Sequence, residues 1–441
     1  TLGVTPVVAA MLDDPYSLGQ LHTWTANWQL RAQEAAARPA LAGLASYEFQ
    51  AASECLADLE ERWLRGGSPI LRGLAESGTA ELIGGPATHP FQPLLDPRVQ
   101  RFALATGLDD ARIRFGHAPA GIWAPECGYA PGLENTYADL GVRHFLVDGP
   151  SFHGDTAAAH PVGDSGVLAF GRDLEVTYRV WSPKAGYPGD PSYRDFHTFD
   201  HASGFRPARV TGRHVPPEAK KPWDPAAAHA TALKHAADFT AVVRDRLREL
   251  AARHGRPGLV VAAYDTELFG HWWHEGPVWL EEVLRLLPEA GVRVTTLAGA
   301  AEAGHVGEPR EIPASSWGSG KDWRVWDGAQ VSDLVADGAA IQERLLAIAD
   351  KPARTSVRTA RDPALDQLAR EALLALSSDW AFMVTKDSAA GYARDRAAAH
   401  ASRFAELAGL IESGRPEAAL TLAAQLRRID GPFGHLDART L

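Results

Sequence analysis

The feature that most constrains this chain is a set of short apolar runs that do not alternate with polar residues and that stop at Gly, Pro or Asp. "TPVVAAML", "AELIGG", "GIWAPE", "HFLVDG", "LVVAAYD" and "VRVTTLAG" are spread over the first 310 residues. Brief runs that are apolar on consecutive residues fit strands covered on both faces. Helical patterns lie between them. "PGLENTYADLGV" (131–142) sets Leu133, Tyr137 and Leu140 on one side and closes on Gly141, while "PVWLEEVLRLLPEAGV" (277–292) opens on Pro and ends at Gly291. Alternation of this kind predicts a parallel α/β sheet or barrel.

After about residue 328 the period becomes helical. Leu365, Leu368, Leu373 and Leu376 mark one stripe, Phe404, Leu407 and Ile411 a second, and Leu422, Leu426 and Ile429 a third. The expected division is a catalytic α/β barrel over 1–310 and an α-helical C-terminal domain over 311–441. Between the two helical patterns of the first part, residues 182–224 are rich in Gly, Pro, aromatics and charge, and a loop this long in a compact protein is usually functional. A surface insertion without a role is the alternative.

A chain of 441 residues with 45% hydrophobic and 22% charged residues buries a large core. Its formal net charge of −11 and the lack of a Lys/Arg run argue against nucleic acid as a partner. No run of about 18 apolar residues predicts a membrane span, and no basic-then-apolar signal peptide opens the chain. The expected location is cytoplasmic, and the expected state a monomer. Cys55 and Cys127 form no Cys-x-x-Cys pair and read as reduced thiols. The chain begins with Thr1 inside a strand-like stretch, which reads as a start within a longer protein.

Side chains at the C-terminal ends of parallel strands project into the ligand crevice. Glu126 in "GIWAPECGY" and Asp265 in "LVVAAYDTELFGHWW" both fall there. Each is ringed by aromatics: Trp123 and Tyr129 beside Glu126, and Tyr264, Phe269, Trp272 and Trp273 beside Asp265. Flat apolar rings next to acids suit a sugar, whose faces stack while its hydroxyls bond to carboxylates. A lone acid in such a place is also a helix cap or an ion-pair partner, and the case here rests on two acids in matched settings. His89, in "ELIGGPATHPFQPLL", follows another strand-like run. Trp317, Trp323 and Trp326 crowd "SSWGSGKDWRVWDGA", where they serve a glucan chain or glue the helical part onto the barrel. "HWWHEGP" offers His271, His274 and Glu275 to a metal but lacks the His-Glu-x-x-His arrangement. No Gly-x-Gly-x-x-Gly follows a strand, and there is no Walker loop and no Gly-x-Ser-x-Gly elbow.

Taken in order, "ELIGGPATH", "GIWAPECGY", "YDTELFGHWWHEGP", "SSWGSGKDW" and "LSSDWAF" resemble the motifs of glycoside hydrolase family 57, most nearly those of its 1,4-α-glucan branching members. The resemblance covers about 300 residues. It implies a distorted seven-stranded (β/α)7 TIM-like barrel with a helical C-terminal domain, retaining chemistry on an α-glucan, and no metal or cofactor. It makes Glu126 the nucleophile and Asp265 the general acid/base, His89 a contact near the cleaved bond, and Trp181, Trp317 and Trp326 aromatic substrate contacts. Asp379 and Trp380 match a late motif, and Trp123, Tyr264, Trp272 and Trp273 complete the expected substrate-binding set. The family's opening strand with a His-x-His motif has no counterpart, so the barrel is expected to lack its first strand. A 4-α-glucanotransferase, an α-amylase-like hydrolase and an inactive glucan-binding relative are the competing expectations. A metal-dependent deacetylase on a similar barrel is a further one.

Overall fold

Strand β4, His144–Asp148, is buried at all five residues and explains the unbroken apolar runs. Phe145 and Val147 pack with Leu104, Tyr137 and Val142 on one face, whereas Leu146 packs with Ile83, Phe170 and Leu297 on the other. A strand with two apolar faces has no polar side to show in its sequence. The structure is a computed structural model and describes residues 1–182, 185–212, 215–351 and 360–441. Residues 183–184 and 213–214 of the 182–224 insertion, and 352–359 of the helical part, lie outside the described residues.

Among the described residues there are six strands: β1 Leu2–Gly3, β2 Leu82–Ile83, β3 Gly121–Ile122, β4, β5 His160–Pro161 and β6 Leu168–Arg172. β1 pairs parallel with β2, and β3, β4 and β6 form a parallel set in that order, with β5 antiparallel on β6. A parallel bridge from Gly84 to Ile122 joins the two sheets, through Gly84 N–H to Gly121 O at 3.0 Å and Trp123 N–H to Gly84 O at 2.8 Å. Half-buried Glu81 ties neighbouring members together: it pairs with His144 Nε2 at 2.8 Å and accepts from Thr1 Oγ1 and Leu297 N–H, each at 2.9 Å.

Helices α1 Pro6–Asp13, α2 Pro15–Ala35, α3 Ala42–Asp58, α4 Ser68–Glu76 and α5 Pro97–Phe115 occupy the first quarter, followed by α6 Leu133–Asp139, α7 Leu174–Thr177, α8 Pro225–His254, α9 Gly276–Glu289 and α10 Leu297–Glu302. α11 Ser332–Ala349, α12 Pro363–Ala375, α13 Ser378–Lys386, α14 Ala390–Glu412 and α15 Pro416–Ile429 make the C-terminal bundle. Pro at the first turn and an Asp cap open α2, α5, α8 and α12, with Asp14, Asp96, Asp224 and Asp362 accepting from free backbone N–H groups. The bundle shares one core with α5: Val99, Phe102 and Ala103 pack against Leu345, Leu365, Leu368, Leu373, Phe404 and Leu407. No helix among the described residues is long and apolar enough to cross a membrane.

Several expectations need correction. "TPVVAAML" is helix α1 and not a strand: Pro6 sits at its first position, and Ala-Ala-Met-Leu outweighs the β-branched Val-Val pair. The strand at the chain's start is Leu2–Gly3, paired parallel with β2. Residues 259–265 and 292–296 run without assigned helix or strand, and "LAG" of the latter stretch belongs to α10. The strand Leu168–Arg172 and the hairpin α2–α3 went unread. Ile429 of the third stripe is 65% exposed.

Candidate active site

Glu126 leaves β3 on a tight turn closed by Cys127 N–H to Ala124 O at 2.8 Å and Gly128 N–H to Pro125 O at 2.9 Å. Its φ of 63° and the 49° of Cys127 put two successive side-chain-bearing residues in the left-handed region, and His89 is there too at 56°. Such conformations cost of order 1–3 kcal/mol each and persist where surrounding packing fixes them, most often at functional sites. The fixing partner here is a distant segment. Tyr129 and Ser315 exchange backbone bonds of 2.9 and 3.0 Å, and Trp317 N–H donates to Glu126 O at 2.8 Å. Gly318 is required in that segment, since a Cβ there would lie 2.7 Å from the Trp326 ring.

Both carboxylate oxygens of Glu126 are held. The Trp317 indole Nε1–H donates to Oε2 at 2.8 Å, and Ser378 Oγ donates to Oε1 at 2.9 Å. With its one hydrogen committed, Ser378 accepts from His89 Nδ1 at 2.9 Å, which fixes the tautomer of that ring. His89 O also accepts from Ser378 N–H at 2.9 Å. Burial pushes the Glu126 carboxyl up, while His89, Trp317 and Ser378 pull it back toward the ionised form.

Asp265 caps the short turn Thr266–Leu268 through its backbone, and no cap bond engages its carboxylate. Its pKa is pushed up to about 7, first by burial, then by the charges of Glu267 and Glu126, with Arg172 opposing. One carboxyl is thus furnished with donors and the other is starved of them and repelled by the first. That asymmetry separates an acid from a base at neutral pH.

Three charged groups brace the site from below. Asp148 at the end of β4 is in register with Arg172 at the end of β6, and Arg172 Nε donates to Asp148 Oδ1 at 2.9 Å. Lys321 Nζ reaches Asp148 Oδ2 at 2.5 Å and donates to Trp317 O at 3.0 Å. The Arg172 guanidinium lies 5.0 Å from the centre of the Trp317 ring. Sequence reasoning missed Ser378, Asp148, Arg172 and Lys321. Ser378 carried a signal as the neighbour of the flagged Asp379, and Asp148 carried one as the acid that closes the run HFLVDG.

Of the expected aromatic contacts, Trp123 packs edge-on against Trp317 with ring centres 4.7 Å apart, and both are half-buried. Trp181 and Trp272 are 43% and 46% exposed. Tyr264 is half-buried and meets Phe269 edge-on. Trp273 and Trp326 are corrections. Each is 1% exposed, Trp273 packed with Trp279 and Trp326 stacked on Phe91 at 4.7 Å, so neither ring has a face left for a sugar. Asp379 is exposed and accepts from Ser377 Oγ at 3.0 Å, and Trp380 Nε1 donates to Leu374 O at 2.9 Å.

His89, Glu126 and Asp379 each bring one potential ligand atom within 4.8 Å of the others, a spacing a cation tolerates. The two donors already on Glu126 argue for a carboxylate satisfied by hydrogen bonds. In "HWWHEGP", His274 Nε2 bonds Tyr47 Oη at 2.9 Å, with its pKa lowered to about 3 by burial and by Arg194 and Arg206. Glu275 accepts from Trp223 Nε1 at 2.9 Å. Both are engaged in packing.

Residues 51–314 match the family model of glycosyl hydrolase family 57, and residues 339–441 match that of the 1,4-alpha-glucan branching enzyme C-terminal region. The chain belongs to glycoside hydrolase family 57. A relative, a probable 1,4-alpha-glucan branching enzyme of Mycobacterium tuberculosis, is 56% identical over all of this chain and 88% of its own length. The crystal structure of a family 57 branching enzyme from Thermococcus kodakaraensis, solved with glucose, superposes with a TM-score of 0.90 at 30% identity over 99% of this chain and 86% of that one. An α-amylase of Thermotoga maritima superposes with a TM-score of 0.87 at 27% identity over 99% and 88%. The mixed α/β fold is common to these structures and this family 57 chain.

Proposed function

We propose that the chain is a 1,4-α-glucan branching enzyme that cleaves an α-1,4 bond with retention and rejoins the released segment through an α-1,6 linkage. The observation that carries the reading is the pairing of Glu126, both oxygens held by Trp317 and Ser378, with an Asp265 whose pKa of about 7 is partly set by the charge of Glu126. The full-length relationship to a probable branching enzyme supports the choice of reaction.

In this mechanism Asp265 gives its proton to the leaving glycosidic oxygen while Glu126 attacks the anomeric carbon, forming a covalent β-glucosyl ester. Esterification removes the negative charge of Glu126 and with it the repulsion on Asp265. Asp265, left ionised by the proton transfer and no longer facing a charged Glu126, takes the proton of a 6-hydroxyl on the acceptor glucan, whose oxygen attacks the anomeric carbon, releases the Glu126 carboxylate and returns the α configuration. His89, Trp123, Trp181, Tyr264, Trp272, Trp317, Asp379 and Trp380 form the proposed substrate surface, without metal or cofactor.

The same reading takes residues 1–310 as a distorted (β/α)7 barrel and 311–441 as a helical domain that supplies Trp317 and Ser378. Residues 259–265 would stand beside β6, supported by Asp173 N–H to Val261 O at 2.9 Å. Residues 293–296 would close the ring beside β1, supported by Leu297 N–H to Thr1 Oγ1 at 3.1 Å. The protein would act on α-glucan as a cytoplasmic monomer.

Incubation with amylose, read by proton NMR for α-1,6 linkages and by a reducing-end assay, tests the function. New α-1,6 signal with few new reducing ends is expected. Reducing ends alone would make the chain a hydrolase, the second reading, which the likeness to the Thermotoga α-amylase favours.

A further inference from the structure

Trp272, already counted in the proposed substrate surface, continues into a row of planar groups, exposed at Trp272 and Phe199 and half-buried at Phe196 and Arg206, that supplies no acid or base of the reaction. The Trp272 ring, 46% exposed, lies 4.5 Å from Phe196 at an interplanar angle of 33°. The Arg206 guanidinium covers the Phe196 ring at 4.2 Å and the Phe199 ring, 43% exposed, at 4.8 Å. His271 meets the edge of Phe196 at 5.2 Å. Trp272 and His271 belong to the loop that carries Asp265, and their N–H groups both donate to Glu267 O, at 3.3 and 3.2 Å.

Two properties separate this row from an accidental apolar patch. The first is rigidity. The 182–224 insertion, which carries Phe196, Phe199 and Arg206, is fastened outward by Arg38 to Asp200 through bonds of 2.7 and 2.9 Å and by Arg194 to Glu48, and inward by Lys220 to Asp195 at 2.7 Å, while the turn of Trp272 is closed by the bonds to Glu267 O. The rings are therefore held in place before any partner arrives, which lowers the ordering cost of binding. The second is Arg206. Its side chain forms no ion pair and no hydrogen bond among the described residues, and its buried Nε lacks a partner. Its Nη donors, unlike the buried Nε, are left for a ligand rich in oxygen acceptors. Pyranose rings offer that combination: apolar faces for Trp272, Phe196 and Phe199, and hydroxyl oxygens for Arg206 and His271.

We infer that Trp272, Phe196, Arg206 and Phe199 form an auxiliary binding platform for a stretch of α-glucan away from the bond being cleaved. The inference rests on the glucan-acting reading above. A platform on the Asp265 loop grips a chain long enough to extend past the reacting sugar and leaves a short oligosaccharide untouched. It biases the protein toward long glucans.

The test measures binding without turnover in the Glu126→Gln chain. Affinity electrophoresis in amylose gels gives one dissociation constant, and titration with maltotriose gives the other. Phe199→Ala combined with Trp272→Ala is expected to weaken amylose binding about tenfold and maltotriose binding less than twofold. Arg206→Met, which keeps the length of the side chain and removes its donors, is expected to weaken amylose binding about threefold, with an unchanged circular dichroism spectrum. Unchanged amylose binding in both variants, or equal weakening for both glucans, overturns the platform. Unchanged amylose binding with altered sedimentation makes the face a contact between copies and overturns it as well. Failure of the branching assignment appears separately, as reducing ends without α-1,6 linkages from the unsubstituted chain.

Discussion

At the scale of single residues the chemistry depends on how unequally two carboxyls are treated. Glu126 receives an indole N–H and a hydroxyl, and Asp265 receives neither while facing two like charges. Glu126→Gln is expected to lower turnover by at least a thousandfold with little change in melting temperature; near-normal turnover in that variant would remove the nucleophile assignment. The rate is expected to fall as pH rises through about 7, because Asp265 loses the proton it must deliver. A profile flat to pH 9 would contradict this. The same raised pKa bears on stability. An unfolded Asp ionises near 4, so the folded state is penalised progressively as pH rises from there through about 7. Asp265→Asn should therefore raise the melting temperature more at pH 8 than at pH 4, as calorimetry can check. Asp148 acts through others: Asp148→Asn weakens the hold on Arg172 and Lys321, which brace Trp317. It is expected to lower kcat about tenfold with KM nearly constant and to move the acidic limb of the pH profile. A pure loss of folded protein, with kcat of the remainder intact, would show a structural role only.

At the scale of elements, what the sequence discloses depends on whether a local pattern or a distant neighbour decides the outcome. Glu126 and Asp265 stand out because a polar residue closing an apolar run is visible within a few positions. Helices α9 and α14 are visible for the same reason, through their apolar period and terminal residues. Ser378, Asp148, Arg172 and Lys321 gain their roles only when segments up to 252 residues apart meet, and although Asp148 closes the apolar run HFLVD, nothing local distinguishes a bracing acid from a catalytic one. Trp273 and Trp326 illustrate the reverse, since an aromatic in a promising motif looks alike whether it faces a ligand or the core. The 182–224 insertion reads as a patternless loop because its order comes from bonds to α2's flank, α3 and Glu275 and from no period of its own. Arg194→Ala breaks the bond to Glu48 and removes the guanidinium over Trp223, 4.6 Å away. Loosening the loop should admit water to the glycosyl ester and at least double the ratio of hydrolysis to transfer; an unchanged product ratio would show that the loop shields nothing.

At the scale of the whole molecule, the strand core and the helical bundle meet through α5, which gives Val99, Phe102 and Ala103 to the bundle and Leu104 and Leu108 to the strands. Leu368→Ala, at a fully buried bundle position, is expected to cost about 2–5 kcal/mol. Through Ser378 it should also lower the activity of the folded fraction, and a stability loss with full specific activity would show that the two parts are mechanically independent.

The donors that hold Glu126 come from residues 191 and 252 positions further along the chain. A ribosome must therefore add 191 residues after Glu126 before the nucleophile has its first donor, and 252 before it has the second. A nascent chain that has not reached Ser378, even with its early strands formed, holds no competent nucleophile. In a refolding experiment, return of activity would keep time with the late docking of helix α13 and lag behind the collapse that Trp fluorescence reports.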